Sequence, residues 1–148
     1  MSHPANVLAD ATVEAINVAD RFSVAVASVR SYVPILDTKG TPTLRVAVVP
    51  RAADSERKTR TQWQREYLID VVVQKKVANA LAATLDPLMD LADEIAEWFR
   101  DEDNVRPFAA HSEFHVAAVT NDPLYSQDLL DKEGLFAALV TLTFREVR

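Results

Sequence analysis

Residues 66–74 read Glu-Tyr-Leu-Ile-Asp-Val-Val-Val-Gln, the strongest period-two pattern in the chain. Side chains alternate sides along a strand, so Tyr67, Ile69, Val71 and Val73 share one face while Glu66, Leu68, Asp70, Val72 and Gln74 share the other. The first face is wholly apolar and the second is apolar near its middle. A strand of this kind belongs in the interior of a sheet. An interior strand in turn needs a paired neighbour on each side.

Upstream, Leu44, Val46 and Val48 alternate with Arg45, Ala47 and Val49 and end at Pro50, which predicts a strand. Before it, Phe22, Val24 and Val26 begin a period of two that runs on, with room for a bulge, to Tyr32 and stops at Pro34, with a turn at Asp37-Thr38-Lys39-Gly40. These two segments read as neighbouring antiparallel strands. Asn6–Asp20 places Leu8, Ala11, Thr12, Ala15 and Ile16 at helical spacing, a short amphipathic helix. The stretch Arg51–Arg60 has no apolar period and is dense in charge, so it reads as an extended loop at a hairpin tip.

Downstream, Asp86 suits an N-cap and Pro87 the first helical position of a helix over Asp86–Arg100. Its core face is Leu88, Leu91, Ala92, Ile95, Trp98 and Phe99, and its other face is Asp90, Asp93, Glu94 and Glu97. Val77–Leu85 is open between a helical turn and a linker. Glu113–Thr120 reads as a strand ended by Asn121-Asp122-Pro123; Ser126 caps a short helix to Lys132, and Gly134 ends it. The last strand runs from about Leu135 to Val147. The expected order is α-β-β-β-α-β-α-β: an α+β single domain with a largely antiparallel mixed sheet packed by two main helices. No repeat, low-complexity tract or Pro/Gly/Ser linker divides the chain.

Composition narrows the function classes. The 148 residues contain no cysteine, which removes disulfides, thiolate metal sites and cysteine nucleophiles. No run approaches the roughly 20 apolar residues of a membrane span, and MSHPANVLAD has neither a basic nor an apolar leader segment, so a cytoplasmic protein is expected. Net charge is -6, with nine Lys/Arg against eight Asp/Glu in residues 1–74 and seven against fourteen in residues 75–148. An acidic chain lacks the basic footprint that phosphate binding needs, so specific nucleic-acid binding is not expected. Opposite patches on one subunit suit protein partners.

Motifs for chemistry are sparse. Gly40 and Gly134 are the only glycines, too few for a phosphate loop, a dinucleotide fingerprint or a nucleophile elbow. Neither a cofactor nor catalysis is expected. His111, Glu113 and His115 alternate and would share a strand face, a ligand-like set weighed against a plain polar face. Asp90, Asp93, Glu94 and Glu97 lie side by side on their helix, and the bland reading is a solvated face.

A third reading of that face joins it to the basic segment. Arg51–Arg65 carries five basic and two acidic residues, and Asp86–Asp103 one basic and eight acidic. The expectation is a head-to-tail contact in which Arg51, Arg57, Lys58, Arg60 and Trp63 of one copy meet Asp90, Asp93, Glu94 and Glu97 of the next. A heterologous contact that closes under rotation makes a ring. Trp63 is either hairpin packing or an interface anchor.

The segments NVLADATVEAIN, VASVRSYVPILD, TLRVAVVPR, YLIDVVVQKKV, DPLMDLADEIAEWFR and NDPLY with LFAALVTLTFREVR together resemble the phage tail terminator and tail completion proteins, similar in layout to the tail terminator of lambda-like phages. The resemblance spans residues 6–148 and is one of element order, without an invariant motif. It implies a small α/β subunit that forms a hexameric ring on the tail tube, stops its polymerisation and offers a surface to head-connector and neck proteins. No activity or cofactor comes with it. A head completion or head-tail connector protein, or a non-phage cytoplasmic adaptor, is the alternative; a hydrolase or metal enzyme using His111, His115 and the carboxylates is a further one.

Overall fold

In the computed structural model, described for residues 3–18, 22, 26–34, 44–78, 81–100 and 115–147, the elements follow the expected order. They are helix α1 (Pro4–Val18), strands β1 (Ser28–Arg30), β2 (Arg45–Arg57) and β3 (Trp63–Lys76), helix α2 (Ala82–Arg100), strand β4 (His115–Asn121), helix α3 (Gln127–Glu133) and strand β5 (Leu135–Val147). The strands form one sheet in the order β1-β2-β3-β5-β4, with β3 central. The fold class is α+β.

The core lies on one face of the sheet. Val46 and Val48 of β2, Ile69, Val71 and Val73 of β3, and Phe136, Ala138, Val140, Leu142 and Phe144 of β5 are buried there. The α1 stripe of Leu8, Ala9, Ala15 and Ile16 and the α2 stripe of Leu88, Leu91, Ile95 and Phe99 close this face. Helix α1 covers the β1–β3 side and α2 the β4–β5 side. The opposite face is thinner. Ala47, Val49, Val72 and Ala137 are buried there, and Leu129 of α3 packs beside them.

Helix α3 has the caps its residues predict. Ser126 Oγ accepts from the Leu129 N–H at 3.3 Å, and Gly134, at φ 61°, donates its own N–H back into the helix. A Cβ at Gly134 would stand 3.3 Å from the Val77 carbonyl oxygen, and that φ disfavours other residues.

Three expectations change. Strand β1 pairs with β2 in parallel, through Ser28–Val46, Val29–Ala47 and Arg30–Val48, and is only three residues long. A short turn would force antiparallel pairing, whereas residues 31–44 give the chain length to return and run the same way. Of the longer strand expected over Phe22–Tyr32, residues 23–25 lie outside the described residues, as does the turn at residues 37–40.

Helix α2 starts at Ala82, so Asp86 and Pro87 sit inside it. The Thr84 and Leu85 amides both donate to the Leu81 carbonyl and open the helix there. Pro87 then forfeits one bond to residue 83, which is tolerable because Ala83 is exposed and water can reach its carbonyl. Finally, residues 51–57 are strand rather than loop, since β2 stays paired with β3 out to Arg57–Trp63. Their low strand propensity is overridden by the continuous ladder that the central strand offers.

Candidate functional site

The β2–β3 hairpin outruns the core and forms an arm. Beyond Pro50 every β2 residue is exposed, as are residues 58–63. The partner stretch of β3 is half-buried because β5 flanks it as far as Val147. A bulge between Pro50 and Ala52 marks the root of the arm, which stays in the sheet through its pairing with β3.

The bulged residue is Arg51. Its Nε lies 2.7 Å from Asp70 Oδ2, and Thr141 Oγ1 donates to Asp70 Oδ1 at 2.9 Å. The Asp70 side chain is only 8% exposed, so its charge is held by these two partners. Further out on the same face, the Arg145 guanidinium donates twice to Glu66 Oε1, at 2.9 and 2.8 Å. Arg51 is therefore an anchor for the arm's root, a role the charge pattern did not signal. Asp70 was legible as the one charge at the middle of an apolar strand, but its partners come from β2 and β5.

At the tip, Arg57 has an internal role as well. Its Nε donates to the Thr59 carbonyl at 3.2 Å and its Nη2 to the Arg60 carbonyl at 2.8 Å, with the guanidinium 6.0 Å from the Trp63 ring centroid. The Thr59 Oγ1 accepts from the Thr61 and Gln62 amides, and the Lys58 amide donates to the Gln62 carbonyl at 3.0 Å. The tip is thus tied down by five named bonds although it is wholly exposed. Lys58 Nζ is 3.3 Å from Glu56, an exposed pair of small energetic weight. Arg60 is exposed and forms no ion pair among the described residues.

On α2, Asp90, Asp93 and Glu97 are exposed and Glu94 is half-buried. Glu97 pairs with Arg100 one turn on. The structure brings the acidic residues together on the helix, and the basic ones on the arm, but within one chain no ion pair among the described residues joins the two sets.

Of the metal-like set, His111 and Glu113 lie outside the described residues, and His115 is exposed on β4 opposite Arg145. Among the described residues no group of three His, Asp or Glu is placed to hold a metal ion. An open cleft of about 340 Å³ lies beside the arm's root, lined by His3, Asn6, Tyr32, Arg51 and Ala53 among others. His3 Nδ1 accepts from the Ala5 amide at 3.1 Å, and Asn6 Nδ2 donates to the Tyr32 hydroxyl at 3.2 Å. No described helix is long and apolar enough to cross a membrane.

Neither a protein-family model nor a curated protein matches this chain.

Proposed function

We propose that this chain is a non-enzymatic assembly protein of a tailed phage or prophage, a tail terminator-like subunit that closes as a homo-oligomeric ring on the end of the tail tube. The ring, hexameric by the resemblance, stops tube polymerisation and presents a surface to head-connector and neck proteins. Its places of action are the host cytoplasm during assembly and the virion thereafter.

The observation that supports this reading is the arm. A hairpin that projects beyond its core, with exposed charged residues and an internally tied tip, gains little from burial in its own subunit. Its order is useful to a neighbour, because a pre-organised surface loses less entropy on binding. The element order and the opposite charge of arm and α2 agree with it.

The test is the absolute mass of the purified protein by light scattering, alone and with tail tube protein, followed by microscopy of tube ends. A closed ring of uniform mass that binds tube ends is the expected result. A protein that forms no ring either alone or on the tube, and does not bind it, overturns the reading and favours an adaptor.

A further inference from the structure

The outer edge of β2 is open past β1 but carries three obstacles to strand addition. The last main-chain bond on that side runs from the Ser31 amide to the Val48 carbonyl, and β1 pairs no further than Val48. Past this point Pro50 has no N–H to give. The Ser55 N–H is already taken by Asp54 Oδ1 at 2.8 Å, and the bulge at Arg51 breaks the register. A missing donor, an occupied donor and a bulge are the devices by which edges resist pairing. These obstacles favour contact through side chains.

At the tip those side chains are Arg60 and Lys58, since Arg51 serves Asp70 and Arg57 serves the tip carbonyls, while the exposed Lys58–Glu56 pair at 3.3 Å is weak enough to exchange for another carboxylate. The matching charge is on the chain itself. Asp86, Asp90 and Asp93 are exposed on α2 at spacings of four and three, a stripe roughly 10 Å long at 1.5 Å per residue. Because α2 packs on the β4–β5 side while the tip extends from β2 and β3, the two surfaces remain available to separate copies.

We propose that the arm tip docks through Lys58 and Arg60 on the Asp90–Asp93 side of α2 in a second copy of this chain. The contact deepens the ring reading and rests on it for closure, but not for the pairing of one copy with the next. It is heterologous, each copy offering its tip to one neighbour and its helix to the other.

The cysteine-free sequence allows a direct test. Folded Arg60→Cys and Asp93→Cys chains are mixed and oxidised, with Ser55→Cys on the β2 edge as the control. A disulfide between Cys-bearing tip and helix, formed in preference to the control pairing, is expected; equal or absent cross-linking overturns the proposal. In sedimentation at low salt, the Lys58→Glu/Arg60→Glu chain should associate roughly tenfold more weakly. Adding Asp90→Lys and Asp93→Lys to that chain should restore association, and a folded four-site chain that stays weak also overturns it. Tip-to-helix cross-linking without tube binding would sink the terminator reading and leave this contact standing. Tube binding without the cross-link would do the reverse.

Discussion

Arg51 Nε stands 2.7 Å from Asp70 Oδ2 across the junction of arm and core, a half-exposed cation closing over a nearly buried carboxylate. Thr141 completes the site from β5 at 2.9 Å, so three strands meet on one charge. Removing Arg51 leaves the carboxylate with a single neutral donor. Arg51→Ala should cost about 1–3 kcal/mol, read as a lower urea midpoint. Faster amide hydrogen exchange along Ala52–Arg57 should accompany it, because the root no longer fixes the arm. A midpoint and exchange pattern unchanged from the parent would show the pair to be incidental.

Phe99 is 1% exposed and Trp98 half-buried, with their rings edge-on at 4.9 Å. Phe99→Ala is expected to destabilise by about 3–5 kcal/mol through lost burial and the cavity left behind. Trp98→Ala should cost clearly less, because water already reaches part of that ring. Chemical denaturation of the two variants side by side decides it, and the reverse order would contradict the packing of α2.

The two caps of α3 differ in kind. Ser126→Ala removes one side-chain acceptor and should cost about 1 kcal/mol. Gly134→Ala puts a Cβ on a left-handed residue 3.3 Å from the Val77 carbonyl oxygen, and about 1–2 kcal/mol is expected. Thermal unfolding of both variants checks this; a neutral or stabilised Gly134→Ala chain would show that the helix end relaxes without strain.

Opening the guarded edge should convert a selective arm into a sticky one. Asp54→Ala frees the Ser55 N–H, and Pro50→Val supplies a donor at the bulge. The double variant should form larger species in light scattering as concentration rises. That growth should persist in high salt, where charge contacts are screened. Unaltered scattering would mean that the bulge alone suffices.

Much of the architecture was legible because it follows from local periodicity. The alternation at residues 67–73 located the central strand and its buried face, and the alternation at Val140, Leu142 and Phe144 did the same for β5. The Ser126 and Gly134 signals marked both ends of α3, since capping depends on a few adjacent residues. The start of α2 was not legible: Asp86 and Pro87 form a good initiation signal, yet Leu81 opens the helix earlier with its own carbonyl. The direction of β1 was not legible either, because three residues carry no mark of which way their partner runs.

The candidate surface divides in the same way. Composition alone placed positive charge around Arg51–Arg65 and negative charge on the exposed side of α2, since net charge and helical spacing are properties of the chain. Which charges are spent inside the subunit is a property of the tertiary structure. Arg51 and Arg60 are the same residue type in one basic segment. One lies beside Asp70, which only the pairing of β2 with β3 brings within reach, and the other lies at a tip where no carboxylate of the described chain follows it. Element order, the central strand and the polarity of each face follow from local pattern, because side-chain alternation and spacing act over a few residues. Strand direction, the length of the arm, the obstacles along its edge and the partner of each charge arise only on folding, because each depends on groups brought together from distant parts of the chain.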